Sequence, residues 1–148
     1  MTSGKTSPRA RFAGRRVIFA LSIGVVGVLT TASGCGGNDD PRPPTWSYVA
    51  TAILEPSCAT ANCHSAIAAR AGVDLSTRAA GYASLVGRTY VISEMAAPSL
   101  TPDERVQRSA VPRLMRAIGN LRMPPDLPLP EADIELFESW IRAGAKND

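Results

Sequence analysis

The chain has 148 residues, 16 of them basic and 13 acidic, and only 5% of them are aromatic. The basic excess lies in residues 1–34, which carry five cations and no acid, so the part that follows has 11 basic and 13 acidic side chains and a net charge of −2. No basic patch with interleaved aromatic residues remains there, and this excludes a nucleic-acid-binding protein. The length of that part suffices for one domain with a modest core.

Residues 1–34 have the pattern of an export signal. A basic stretch is followed by an apolar run from Val17 to Leu29, which is too short to span a bilayer as a mature helix. The next residues, Ala32-Ser33-Gly34-Cys35, resemble the lipobox of bacterial lipoproteins, in which the cysteine is lipidated and becomes the mature N-terminus. We therefore expect export to the periplasm or cell envelope and a lipid anchor at Cys35 in a bacterial membrane. The alternative is ordinary signal cleavage with Cys35 left as a free thiol.

Residues 35–45 are rich in glycine, proline and acids and predict a flexible tether, so the domain occupies residues 46–148. No convincing sheet pattern occurs in it, and the predicted class is all-α. Apolar periodicity and capping residues predict helices over Trp46–Glu55, Thr77–Val86, from Thr101, after Pro112 and over Pro130–Ala143. Pro56 is predicted to end the first helix. Pro112 is predicted to interrupt the helix from Thr101 or to begin the next helix, in which Val111, Leu114, Met115 and Ile118 are predicted to share one face.

The stretch Cys58-Ala-Thr-Ala-Asn-Cys63-His64 holds two of the three cysteines and the only histidine. A histidine directly after a close cysteine pair is typical of c-type haem attachment, where two thiols form thioethers and the imidazole becomes the proximal iron ligand. The usual spacer is two residues, and here it is four. In an exported protein the alternative is a Cys58–Cys63 disulfide, and a zinc site is a weaker rival because it needs more ligands. Spacing alone leaves haem and disulfide even, and His64 favours haem because a disulfide has no use for it.

A haem iron that passes electrons generally has a second axial ligand, for which methionine is one choice. Met123 lies in Arg-Met-Pro-Pro, a proline-stiffened loop that can hold a thioether in place. Met115 lies on an apolar helix face, as expected of core filler, and Met95 lies in a segment of uncertain structure. A core contact is also the alternative for Met123.

Four motifs in this order resemble a small monohaem c-type cytochrome domain of the lipoprotein and planctomycete-type group, over Trp46 to Ala145. They are Glu55-Pro-Ser-Cys58 with Cys63-His64, Ala71-Gly-Val-Asp-Leu75, Arg122-Met-Pro-Pro125, and the stretch from Leu129 to Ala145. Ser65 stands where glycine is usual. The resemblance implies a bundle of short helices around one haem c, with Trp46–Glu55 packed on Pro130–Ala143. It assigns the covalent attachment to Cys58 and Cys63 and the iron ligands to His64 and Met123.

The function that the resemblance implies is electron transfer with a redox partner protein, without enzymatic activity. Two other functions remain open. One is a structural or interaction lipoprotein with a Cys58–Cys63 disulfide and no cofactor. The other is a haem enzyme or sensor in which Met123 does not bind the iron. The acidic residues of the last helix predict a solvated face that could dock a basic partner; they are Glu131, Asp133, Glu135 and Glu138.

Overall fold

A computed structural model describes residues 40–148. All regular elements of this range are helical and no strand occurs in it, which confirms the all-α class for this part of the chain. No helix within it is long and apolar enough to cross a membrane. The predicted signal peptide over 1–34, the lipidation at Cys35 and residues 35–39 of the predicted tether over 35–45 lie outside the described residues.

The first helical run of the described residues has three parts: α1 (Trp46–Tyr48), a π-helical segment (Val49–Leu54) and α2 (Glu55–Cys58). Four further α-helices follow, namely α3 (Arg78–Leu85), α4 (Pro102–Arg108), α5 (Ala110–Met115) and α6 (Glu131–Arg142). Short 3₁₀ turns lie at Arg70–Gly72 and Gly119–Leu121. The stretches between these elements are irregular, and they contribute much of the site described below.

The first helical run does not end at Pro56, as its sequence predicts, but continues to Cys58. The π-helical segment explains this, because the Glu55 N–H donates to the Ala50 carbonyl, five residues back. Proline is tolerated in the first turn of an α-helix, where its missing N–H leaves no helical hydrogen bond unmade. Pro56 occupies such a position in α2. Cys58 is consequently fixed at a helix end rather than on a free loop.

Of the sequence predictions for α4 and α5, one is confirmed and one is wrong in part. The predicted capping box of α4 is confirmed: the Glu104 N–H donates to Thr101 Oγ1 at 3.3 Å, and the Thr101 N–H donates to Glu104 Oε2 at 2.8 Å. The prediction that Ile118 shares an apolar face with Val111, Leu114 and Met115 is wrong, because Ile118 is 92% exposed. Helix α5 ends at Met115, so Ile118 lies beyond its last turn.

The core joins the two ends of the domain. Trp46 and Trp140 are both fully buried, with ring centroids 4.9 Å apart, and Phe137 packs beside Trp140 at 5.5 Å. Each buried indole N–H donates to a backbone carbonyl, that of Trp46 to Arg78 at 3.0 Å and that of Trp140 to Lys146 at 2.9 Å. The first helical run therefore packs on α6, and this scaffold fixes the position of Leu54 and Cys58.

The acidic side of α6 is not the solvated face that its sequence predicts. Glu138 is buried and accepts from Arg116 Nε at 2.9 Å. Glu131 also pairs with Arg116, and Asp133 pairs with Arg42. Of the four predicted acids, only Glu135 forms no ion pair within residues 40–148. Packing α6 against its neighbours thus brings guanidinium groups onto three of these four carboxylates, with Arg116 shared between Glu131 and Glu138.

Candidate functional site

An apolar pocket lies between the first helical run and the segments around His64 and Met123. Its cavity volume is about 190 Å³, below the roughly 300–1,000 Å³ of typical ligand pockets, and the pocket is open to solvent at its mouth. Its wall residues are Leu54, Cys58, His64, Ala71, Val73, Leu75, Leu85, Tyr90, Ala110, Val111, Leu114, Met115 and Met123. Only a thiol, an imidazole, a phenol and two thioethers interrupt the hydrocarbon of these walls.

The imidazole of His64 is held by the fold on its Nδ1 side. Nδ1 lies 3.2 Å from the Val73 carbonyl oxygen. A carbonyl can only accept, so this contact requires the proton on Nδ1 and leaves the lone pair on Nε2. The backbone of His64 is fixed as well, because its N–H donates to the Cys58 carbonyl at 3.1 Å and its carbonyl accepts from the Leu75 N–H at 2.8 Å. This arrangement presents a basic ring nitrogen suited to binding a metal.

Cys58 is half-buried on the pocket wall, and both it and Cys63 are free thiols. Burial, with a smaller contribution from the charge of Cys63, raises the pKa of the Cys58 thiol to about 11. The physical cause is desolvation, which disfavours the thiolate. At neutral pH Cys58 is therefore a protonated thiol facing an apolar space.

Cys63 does not line the pocket, although it directly precedes His64. The four-residue spacer forms a turn in which the Cys63 N–H donates to the Thr60 carbonyl at 2.9 Å, and the Cys63 carbonyl accepts from the Arg70 N–H at 3.0 Å. The structure thus brings three of the four predicted cofactor residues to one pocket and places the fourth beside it.

The Met123 loop closes one edge of the pocket. The Met123 N–H donates to the Leu114 carbonyl at 3.0 Å, which ties the loop to α5. The Arg122 guanidinium braces the loop by donating to the carbonyls of Pro124 at 3.3 Å and Pro125 at 2.9 Å. The Met123 side chain is 41% exposed, so it lies at the mouth of the pocket rather than deep within it.

Sequence reasoning missed some of the pocket walls. Met115 is 4% exposed and faces the pocket, so it is buried as expected but is also a wall residue. Tyr90 lines the pocket as well, and the irregular segment around it gives no periodic signal that could have indicated this. Met95 is exposed and is not a wall residue.

The potential metal donors on the pocket walls are one imidazole, one thiol and two thioethers. Within residues 40–148 no group of three or more His, Cys, Asp or Glu side chains is arranged to hold a metal. Haem sites in proteins use imidazole and thioether groups as iron ligands. No family model, curated protein or solved structure matches the chain.

Proposed function

We propose that this protein is an electron-transfer c-type cytochrome that holds one haem c covalently and is not an enzyme. The observation that supports this most directly is the placement of His64, Cys58 and Met123 on the walls of one apolar pocket. The Cys-Cys-His order supports it independently. In this proposal the chain is exported, anchored to a bacterial membrane by a lipid on Cys35, and exchanges electrons with a redox partner protein.

The pocket residues have distinct roles in the proposal. Cys58 on the pocket wall and Cys63 beside it would carry the thioether bonds, and His64 and Met123 would bind the iron. The bound group would supply a reversible one-electron couple at its iron. The hydrogen bond from His64 Nδ1 to the Val73 carbonyl fixes the orientation of the imidazole. A thioether opposite an imidazole raises the reduction potential.

The remaining walls act by excluding water. Leu54, Val73, Leu75 and Leu85 are buried and surround the pocket with hydrocarbon. A dry, low-dielectric surrounding controls the reduction potential and limits solvent access to the metal. Electron transfer needs no proton donor at the reacting centre, so the proposal assigns no proton-transfer role to Tyr90, the one phenol on the pocket wall.

The proposal is tested by producing the chain together with haem-maturation machinery. A pyridine haemochrome spectrum and an intact mass that includes one haem are expected. A mass lower by two hydrogens, with no haem absorption, would instead support the disulfide-linked structural lipoprotein. Binding of carbon monoxide to the reduced wild type would indicate an open iron site and a sensor or enzyme. The anchor is tested separately by lipid labelling, which we expect Cys35→Ser to abolish.

A further inference from the structure

The segment between α5 and α6, residues 116–130, exposes much hydrocarbon, and we call it the α5–α6 loop. Within residues 40–148 seven large apolar side chains are exposed, and four of them lie on this loop. They are Ile118, Leu121, Met123 and Leu127. Single exposed aliphatic residues are ordinary, but four within ten consecutive residues are typical of a surface that meets a second apolar phase.

Both ends of the α5–α6 loop are held by the core. Met115, directly before the loop, and Leu129, near its end, are buried. Between them the Met123 N–H donates to the Leu114 carbonyl at 3.0 Å, and the Arg122 guanidinium donates to two proline carbonyls of the loop itself. The loop therefore presents its exposed aliphatic side chains from a backbone that is tied to the domain at both ends.

The α5–α6 loop and the described end of the tether meet at the same end of α6. Arg116, the first residue of the loop, pairs with Glu131 in the first turn of α6. Arg42 pairs with Asp133 in the same turn, and its Nη2 lies 2.7 Å from Asp40 Oδ2. Glu131 and Asp133 are two positions apart, so they face different sides of a helix that is about 10–12 Å wide. The tether therefore joins the domain at the end of α6 that carries the loop.

The length of chain before Asp40 limits how far away a lipid anchor can be. Five peptide steps separate Cys35 from Asp40, and an extended chain covers at most about 3.6 Å per residue, which limits their separation to roughly 18 Å. The other end of α6 is about 18 Å farther along, because the helix has 12 residues. Met95 lies at that far end, where the Glu94 N–H donates to the Gly144 carbonyl at 3.1 Å. We therefore expect a bilayer that holds Cys35 to face the α5–α6 loop and not Met95.

We propose that the α5–α6 loop contacts the lipid bilayer, with Ile118, Leu121 and Leu127 inserted between the headgroups. This inference rests on the lipid anchor at Cys35 in the proposed function and adds a second point of membrane contact. Insertion stops at the interface, because the irregular backbone of the loop has peptide groups that need water. The anchor makes the contact an intramolecular event at high effective concentration, so a small apolar surface suffices. Because Met123 is on the same loop, the mouth of the pocket lies on the side that faces the lipid.

The depth of single positions tests this inference. Tryptophan replaces Ile118 in one variant and Met95 in another, since these residues are 92% and 93% exposed and lie at opposite ends of α6. The haem-free full chain is isolated from cells and reconstituted into phosphatidylcholine–phosphatidylglycerol vesicles, with or without bromine on the acyl chains near the headgroups. Trp46 and Trp140 are buried and give both variants the same background. Apolar side chains at an interface lie about 5–10 Å deep, so we expect bromine to lower the added emission of Ile118→Trp at least about twofold and to leave that of Met95→Trp unchanged.

The outcomes of this experiment separate the loop contact from the proposed function. Equal quenching of the two variants, or no quenching of Ile118→Trp, overturns the loop contact. A blue shift of the Ile118→Trp emission that grows with protein concentration in the absence of lipid also overturns it, in favour of contact between two copies of the chain. Lipid labelling of Cys35 is measured on the same samples, and the assay needs no haem. Labelled but unquenched protein refutes the loop contact and leaves the anchor standing, whereas quenched but unlabelled protein supports the loop contact and refutes the anchor.

A second set of variants keeps the reporter and changes its neighbours. In the Ile118→Trp chain, Leu121→Ser with Leu127→Ser removes two exposed side chains of the loop, and Ile67→Ser with Met95→Ser removes two that are exposed on other segments. Burial of leucine is favourable, so we expect the loop pair to lower the ratio of quenched to unquenched reporter roughly tenfold and the control pair less than about twofold. Urea denaturation checks that all variants are folded. Equal effects of the two pairs would show that the introduced tryptophan inserts by itself, which contradicts the proposal.

Discussion

Met115 and Met123 line the same pocket but differ sharply in burial. We therefore expect truncation of Met115 to affect mainly the stability of the protein and truncation of Met123 to affect mainly the proposed iron ligation. Met115 is 4% exposed, and methionine-to-alanine substitutions in cores cost about 2–5 kcal/mol. Met123 is 41% exposed, so its truncation should cost roughly 1 kcal/mol of apolar burial. For a domain of this size each kcal/mol lowers Tm by about 4–8 °C. We therefore expect Met115→Ala, at about 3 kcal/mol, to lower the Tm of the haem-free protein by about 12–24 °C, and Met123→Ala by about 4–8 °C.

In the haem-loaded protein we expect Met123→Ala, rather than Met115→Ala, to have the larger effect on the reduction potential and on ligand binding. In the proposed function Met123 binds the iron and Met115 only fills space beside it. Met123→Ala should therefore lower the reduction potential and allow the reduced protein to bind carbon monoxide, whereas Met115→Ala should do neither. Met123→His should keep carbon monoxide out while still lowering the potential, because it restores a sixth ligand of different chemistry. Met95→Ala, at an exposed position away from the pocket, is the control and should change neither stability nor ligation.

Two results would refute this reasoning. Carbon monoxide binding to Met115→Ala but not to Met123→Ala would transfer the ligand role to the buried methionine. Equal losses of unfolding free energy, measured by urea denaturation of the haem-free proteins, would show that exposure at the mouth does not set the contribution of Met123 to stability.

Three further outcomes follow from the site and the core. Cys63→Ser should retain more covalent haem than Cys58→Ser, because only Cys58 lies on the pocket wall; haem staining after denaturing electrophoresis measures this, and equal loss would contradict it. Only the thiolate of a cysteine reacts with iodoacetamide, and the pKa of Cys58 is about 11. At pH 8 we therefore expect Cys58 of the haem-free protein to react roughly 100-fold more slowly than a free cysteine. The rate should rise with pH up to about pH 11. Peptide-resolved mass spectrometry tests this, and a flat pH profile would be inconsistent with it. Trp46→Phe should cost about 1–2 kcal/mol, because the Arg78 carbonyl loses its indole donor, whereas Tyr48→Phe in the same helix should cost almost nothing; urea denaturation compares them.

The parts of the fold that follow from the sequence are those decided within a few residues. The capping box of Thr101 and Glu104 depends only on two side chains and their own backbone, and it forms as predicted. The last helix has acids in its first turn and an apolar stripe, and it forms as Glu131–Arg142 within the predicted Pro130–Ala143. Local chemistry and long-range packing agree at both places.

The structure departs from the sequence predictions where residues distant in sequence determine the local conformation. The first helical run passes Pro56 because a π-helical segment changes the hydrogen-bond register, which no residue type announces. Glu138 has the same sequence character as its acidic neighbours, yet it is buried against Arg116, which is 22 residues away. The capture of a carboxylate by a guanidinium from another helix depends on how helices pack and cannot be read from one helix alone.

In the candidate site, too, some features could be predicted from the sequence and others depend on how the chain folds. The sequence indicates Cys58 and His64 through the Cys-Cys-His order and Met123 through its proline-flanked position, and the structure places all three on the walls of one pocket. The Val73 carbonyl that orients His64 could not be selected, because every residue has a carbonyl and only the path of the loop brings this one into place. Cys63 lies off the pocket wall because the turn from Thr60 sets its position, not its adjacency to His64.

The two sides of the pocket are held to different degrees, and this bears on the proposed function. His64 is fixed by its ring bond to the Val73 carbonyl and by backbone bonds to Cys58 and Leu75, so little conformational freedom remains to be lost when its Nε2 binds a metal. Met123 has one backbone bond, to Leu114, and an exposed side chain on an irregular loop. Segments with few buried contacts open most readily. In the proposed function such a pocket would keep its imidazole in place while its thioether could leave, so we expect ligand exchange to occur at Met123.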